Sequence, residues 1–125
     1  MSKKKILLID DEASFTELVK LNLEETGMYE VRAENNGKDG IAATEEFKPD
    51  LIFLDVIMPD MDGGDVAQEI KSNPQTEDIP IVFLTALVQE KEVTSQQGNI
   101  AGRSFLAKPV SVEKLIECIR QNIKE

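Results

Sequence analysis

The sequence predicts an α/β domain built on a doubly wound, five-stranded parallel sheet with five helices. Three observations carry that expectation. Short apolar runs recur along the 125 residues, continuous rather than alternating, as in strands buried on both faces of a parallel sheet. Stripes of apolar residues at helical spacing fall between them. The strand–helix order repeats five times, with no internal repeat, linker or low-complexity segment. That order implies right-handed crossovers. A chain of this length can bury about two-thirds of its unfolded surface, enough for one core without staples. Residues 1–125 are therefore expected to form a single domain, with no effector domain in this chain.

In chain order, the first strand is expected at residues 6–9 (Ile-Leu-Leu-Ile). Phe15, Leu18, Val19 and Leu23 make the stripe of the first helix. Residues 29–33 are partly polar and read as an edge strand. Asn35, Asn36 and Gly37 open a second helix with a weak stripe of Ile41, Ala42 and Phe47. Strands follow at 51–54 and 81–84, separated by a short helix carrying Val66, Ala67 and Ile70. Residues 89–97 have helical length but little apolar surface beyond Val93, so a weakly docked fourth helix is expected there. The last strand, 104–106, is the weakest. The last helix is the cleanest, with Val112, Leu115, Ile116, Ile119 and Ile123 on one face. Ser111 is its expected N-cap, with Glu113 in the first turn.

Composition narrows the function. Asp and Glu number 24 against 14 Lys and Arg, a net charge of −10. That balance argues against direct nucleic-acid binding and against anionic membranes, because phosphate contacts need clustered basic side chains. The chain has no His, which removes His-based zinc sites and Ser–His nucleophile pairs. Cys118 is its sole cysteine, so no intrachain disulfide can form, and a reducing cytoplasm is the simplest compartment. The apolar runs are too short to span a bilayer. Lys3, Lys4 and Lys5 resemble the start of a signal peptide, but Asp10, Asp11 and Glu12 end the apolar run too early.

Ligand sites in such sheets lie beyond the carboxyl ends of the strands. Here those ends carry Asp10 and Asp11, Asp55, Thr85, and Lys108-Pro109. Gathered carboxylates repel one another, so either some stay protonated or a cation neutralises them. An all-oxygen acidic site suits Mg²⁺, which keeps several waters and leaves room for a phosphate. A Lys and a Thr hydroxyl beside it complete a clamp for phosphoryl oxygens, and a carboxylate can itself be the acceptor.

At these residues the chain resembles the receiver domain of two-component response regulators. The matching pieces are Ile9-Asp10-Asp11, Leu54-Asp55-Val56-Ile57-Met58-Pro59 with Met61-Asp62-Gly63, Leu84-Thr85-Ala86, and Leu106-Ala107-Lys108-Pro109. The resemblance covers essentially the whole chain and implies the flavodoxin-like strand order 2-1-3-4-5. It implies Asp55 as phosphoryl acceptor, from a sensor histidine kinase or a phosphotransfer protein. It further implies Mg²⁺ held by Asp11, Asp55 and the backbone carbonyl of Ile57, with Asp10 acting through a metal-bound water. Lys108 would pair with the phosphoryl oxygens, followed by a cis peptide to Pro109. Thr85 and Phe105 would form the switch toward a downstream protein partner. The chain departs from the family pattern at several positions. Ile57 and Leu87 are apolar where polar residues are common, and Phe105 lacks the hydroxyl of the more frequent Tyr. Gly64 stands where a larger residue is usual, which predicts a loose start to the third helix. Residues 89–103 lack the usual small-residue approach to the last strand.

Blander readings stand beside these. Asp11 alone could be an N-cap, Thr85 a capping residue, Lys108-Pro109 a turn, and Phe105 and Cys118 packing residues. Met58, Asp60, Asp62, Gly63 and Glu69 fall at spacings found in calcium-binding EF-hand loops, but Met58 stands where an Asp is needed and a strand precedes the loop. Asp60-Met61-Asp62-Gly63 also resembles the nucleophile motif of haloacid-dehalogenase-like phosphatases, with Asp60 as nucleophile. A receiver that only binds partners and is never phosphorylated is the third alternative.

Overall fold

Ile6, Leu7, Leu8 and Ile9 have no solvent exposure at all, so both faces of this segment must be covered. In the computed structural model they lie within β1 (Lys4–Ile9), at the interior of a sheet. The structure describes residues 3–85, 99–100, 103–108 and 110–123. The elements that follow are α1 (Ala13–Glu25), β2 (Tyr29–Glu34), α2 (Gly37–Phe47), β3 (Leu51–Asp55), α3 (Gly63–Ser72), β4 (Ile81–Thr85), β5 (Asn99–Ile100), β6 (Arg103–Ala107) and α4 (Val112–Asn122). The sheet order is β2-β1-β3-β4-β6-β5. The first five strands of that order are mutually parallel, which is the expected arrangement.

One element was not foreseen. The two-residue β5 pairs antiparallel with β6, Asn99 beside Ser104 and Ile100 beside Arg103. It gives the outer backbone groups of β6 partners that an open edge would lack. The helix expected at 89–97, Leu87 and the peptide to Pro109 lie outside the described residues.

Alternation along the strands splits the core in two. Leu8, Phe53 and Leu84 face α1 and α4, where they meet Val19, Leu23, Leu115 and Ile119. Ile9, Ile52, Leu54 and Phe83 face the other way, against Val66 and Ile70 of α3 and Ala43 of α2. Each fully buried Leu or Ile contributes about 1.5–3 kcal/mol relative to exposure.

The helices differ in detail from their expected stripes. In α1 the buried positions are Thr16, Val19 and Leu23, one helical face at i, i+3 and i+7, while Leu18 falls off that face and is exposed. Thr16 can be buried because its hydroxyl donates to the Ala13 carbonyl and accepts from Asn35 Nδ2. In α2 Ala43 is buried and Ala42 is exposed. Ser111 caps α4 as expected, accepting from the Lys114 amide. Cys118, within α4, is buried. The N-cap of α1 is Glu12 rather than Asp11.

The start of α3 is tightly held despite Gly64. Asp62 accepts from the Gly64 amide, and the Gly63 amide donates to the Val56 carbonyl at 2.7 Å. A Cβ on Gly63 would lie 2.3 Å from the Asp55 carbonyl oxygen and 2.8 Å from Val56 Cα, both backbone atoms that cannot rotate away. A Cβ on Gly64 would meet only Asp62 Oδ1, at 4.0 Å. The two adjacent glycines should therefore respond to alanine with opposite signs. Gly63→Ala is expected to lower the unfolding free energy by about 1–3 kcal/mol through overpacking. Gly64→Ala is expected to be neutral or to stabilise by up to about 1 kcal/mol, because Gly loses more conformational freedom in a helix than Ala does. Urea unfolding of both variants checks the pair.

Candidate functional site

Strand register assembles the site. Ile9 pairs with Leu54, so the next residues of β1 and β3, Asp10 and Asp55, end side by side. Asp55 pairs with Leu84, and Thr85 pairs with Ala107. Lys108 follows directly, and its amide donates to the Thr85 carbonyl at 3.0 Å. Four strand ends thus deliver two buried carboxylates, a hydroxyl and an ammonium to one edge of the sheet.

Asp10 is wholly buried. Its Oδ1 accepts from the Glu12 amide at 3.0 Å, and its backbone carbonyl accepts from Asn35 Nδ2 at 2.8 Å. Its Oδ2 lies 2.6 Å from Lys108 Nζ, yet accepts no well-directed hydrogen bond among the described residues. The same ammonium lies 3.1 Å from Glu12 Oε1, 3.8 Å from Asp55 Oδ2 and 4.9 Å from the centre of the Phe15 ring. Each of Asp10, Asp11 and Asp55 offers a carboxylate oxygen within 4.8 Å of the others, with Asp11 exposed toward solvent.

The electrostatics follow from this geometry. Three carboxylates lie within 4 Å of one ammonium, and Asp11 adds a fourth beside Asp10 and Asp55, so the cluster carries excess negative charge. Burial, then the charge of Asp10, push the Asp55 carboxyl up to about 6, and a hydrogen bond with Asp11 adds to the rise; Lys108 and the Ile57 amide pull it down. Burial works against the charge on Lys108, but its bonds to Asp10 and Glu12 outweigh that, and its pKa is raised. A buried oxygen without a directed donor, beside two further carboxylates, is the donor set that a hard cation completes. The residues present therefore fit a divalent metal.

Other expected residues are also placed. Thr85 is buried at the end of β4. Phe105 stacks on Phe83, centroids 5.2 Å apart. Register puts Phe83, Phe105, Thr85 and Ala107 on one face of the sheet. Ile57 stands beside the cluster, its amide bonded to Asp55, and the residue is 58% exposed. Asp60 is not part of the cluster. Its carboxylate accepts from the amides of Gly37 and Lys38 at the start of α2, which holds its pKa down.

Sequence reasoning missed Glu12, Phe15 and Asn35. Glu12 directly follows the acidic pair and Phe15 lies one helical turn on; that spacing was the available signal for both. Asn35 carried no signal beyond its place in a turn.

Comparison with known proteins gives a consistent result. The response regulator receiver domain family matches residues 6–120. The DNA-binding dual master transcriptional regulator RpaA of Synechocystis sp. is 38% identical over 117 residues, covering 93% of this chain and 47% of that protein. The chain thus spans about half the length of that relative. Protein PilH of Pseudomonas aeruginosa is 35% identical over 119 residues, covering 92% of this chain and 93% of that protein. Among solved structures, the chemotaxis protein CheY4 of Vibrio cholerae superposes with a TM-score of 0.82 at 28% identity, covering 98% of this chain and 100% of that one.

The raised pKa of Asp55 has a consequence for stability. Its ordinary value is 3.8 and its folded value about 6. Between those two pH values the folded chain binds more protons than the unfolded chain, so this group's contribution falls as pH rises through the window. Above it, the fold carries a disfavoured charge. Asp55→Asn removes the charge and keeps the shape. It is expected to raise the metal-free unfolding free energy by about 1–3 kcal/mol near pH 7.5 and by much less near pH 4. Urea titrations at the two pH values check both the sign and the window.

Proposed function

The chain belongs to the response regulator receiver family, phosphoacceptor signalling domains of two-component systems, and from that premise we propose that Asp55 is its phosphoryl acceptor. The observation that carries the assignment is the approach of Asp10, Asp11 and Asp55 within 4.8 Å, with Lys108 Nζ 3.8 Å from Asp55. The donor is a sensor histidine kinase or a phosphotransfer protein. An Asp55 oxygen attacks phosphorus, the P–N bond of the donor phosphohistidine breaks, and the leaving imidazole keeps the electron pair and takes a proton. The product is an acyl phosphate.

Asp11, Asp55 and the Ile57 carbonyl would hold Mg²⁺, with Asp10 reaching it through water. Bound there, the ion would neutralise charge on the transferring phosphoryl group. Lys108 neutralises a further phosphoryl oxygen. The Ile57 amide orients the acceptor, and the buried strand ends limit water around it. The new group adds up to about two negative charges at the end of β3. Thr85 then donates to it by moving inward, and Phe105, whose ring carries no hydroxyl, follows into the space beside β4. A downstream protein partner selects that inward state by differential affinity.

The remaining assignments rest on composition. With a charge of −10 direct nucleic-acid contact is disfavoured, and residues 1–125 read as one receiver domain. No described helix is long and apolar enough to cross a membrane. The buried single thiol suits a cytoplasmic location. The phosphatase alternative is weakened because the carboxylate of Asp60 is engaged with α2.

Three measurements test this reading. With a small acyl phosphate or phosphoramidate donor and Mg²⁺, intact mass should show one phosphoryl increment on the wild type and none on Asp55→Asn. Unchanged labelling of the variant, mapped to Asp60, would overturn the assignment. Asp11→Asn should weaken Mg²⁺ binding in a metal titration while leaving metal-free stability equal or higher; identical titrations would remove Asp11 from the metal site. Ile57 flanks the water approach with a side chain that neither orients nor polarises water. Ile57→Asn should therefore lose its label faster than the wild type, and equal or longer retention would refute that role.

A further inference from the structure

Glu12 occupies the N-cap of α1, where Ser, Thr, Asp or Asn is usual. Its side chain makes no capping hydrogen bond. The Glu12 amide donates to Asp10 Oδ1, and the Glu12 carboxylate, which caps no amide of its own helix, is left to bond elsewhere. It reaches Lys108 Nζ at 3.1 Å instead. Phe15, three residues on, lies on the same side of the helix and presents its ring to that ammonium at 4.9 Å. With Asp10 at 2.6 Å, three of the four groups holding Lys108 come from the β1–α1 segment. Asp55, at 3.8 Å, is the most distant of the carboxylates.

We propose that Glu12 and Phe15 form a holding site for Lys108, which keeps the ammonium on the β1–α1 side until a phosphoryl group on Asp55 draws it across. Glu12 is then a positioning residue that competes with the phosphoryl oxygens for one cation and slows phosphoryl capture. The proposal rests on the reading of Lys108 as a phosphoryl clamp. The strength of the hold follows from exposure. Asp10 is fully buried, whereas the Glu12 side chain is 61% exposed, so the Glu12 bond is the screened and breakable one. The cation–π contact with Phe15 gives the ammonium a resting place that carries no charge of its own. Capture of a phosphoryl group therefore requires loss of the weaker partner, Glu12, while the bond to Asp10 persists.

Glu12→Gln keeps the size of the side chain and removes its charge. It should take label from a small phosphodonor with Mg²⁺ about two- to five-fold faster than the wild type, the range expected for a half-exposed ion pair. The side-chain ammonium signal of Lys108 in proton–nitrogen correlation spectra, assigned by its loss in Lys108→Arg, should shift in the unphosphorylated variant. High salt should bring the wild-type rate toward the variant rate. Phe15→Leu, which keeps bulk without the π face, should move the same Lys108 signal. Equal labelling rates for wild type and Glu12→Gln overturn the proposal and leave the acceptor assignment standing. Faster labelling with an unmoved Lys108 signal also overturns it, because the effect is then general repulsion of an anionic donor. A wild type that takes no label at all overturns the acceptor assignment and this proposal together.

Discussion

The arrangement at the end of the sheet depends on one ammonium group. Asp10 is buried without exposure and Asp55 nearly so, and a buried carboxylate is costly unless paired. Lys108 is the positive charge that touches both. It arrives there because β6 lies beside β4 in parallel register, and the chain leaves β6 immediately at Lys108. A slip of one residue in that pairing would turn the side chains of β6 to the opposite faces and move Lys108 from the acids. The apolar packing of Phe105 against Phe83 therefore also fixes the electrostatics of the crevice.

The acidic edge is left under-compensated by this single cation. Asp55 answers with a raised pKa, and Asp10 keeps one oxygen without a directed donor among the described residues. A site already tuned to receive positive charge gains from a divalent ion with little rearrangement. Around it, polar groups with no chemical role are satisfied locally. Asn35 ties the Asp10 carbonyl to Thr16, and Asp60 ties the β3–α3 loop to the start of α2. These bonds hold the crevice in place from both sides of the sheet.

Much of this was legible beforehand, for identifiable reasons. Strands buried on both faces write themselves as continuous apolar runs, so β1, β3 and β4 could be read directly. Asp10, Asp55, Thr85 and Lys108 could be read because each ends such a run. Helix faces were harder: Leu18 looks like a core residue, but its position one step from Val19 turns it to solvent, while Thr16 is buried through hydrogen bonds that no pattern displays. The short β5 depends on pairing with a neighbour rather than on its own two residues. Glu12 reads as an ordinary helix-start acid, and its reach toward Lys108 depends on a residue 96 positions away.

Cys118 has a use of a different kind. The thiol is buried between α4 and the sheet, burial pushes its pKa up to about 11, and Asn122 bonds to its sulfur. It is therefore inert while α4 is docked. Because the chain has one sulfhydryl, the pace at which a thiol reagent consumes it in native buffer records how often the final helix lifts from the core. The protein carries its own clock for that opening, without any engineered label.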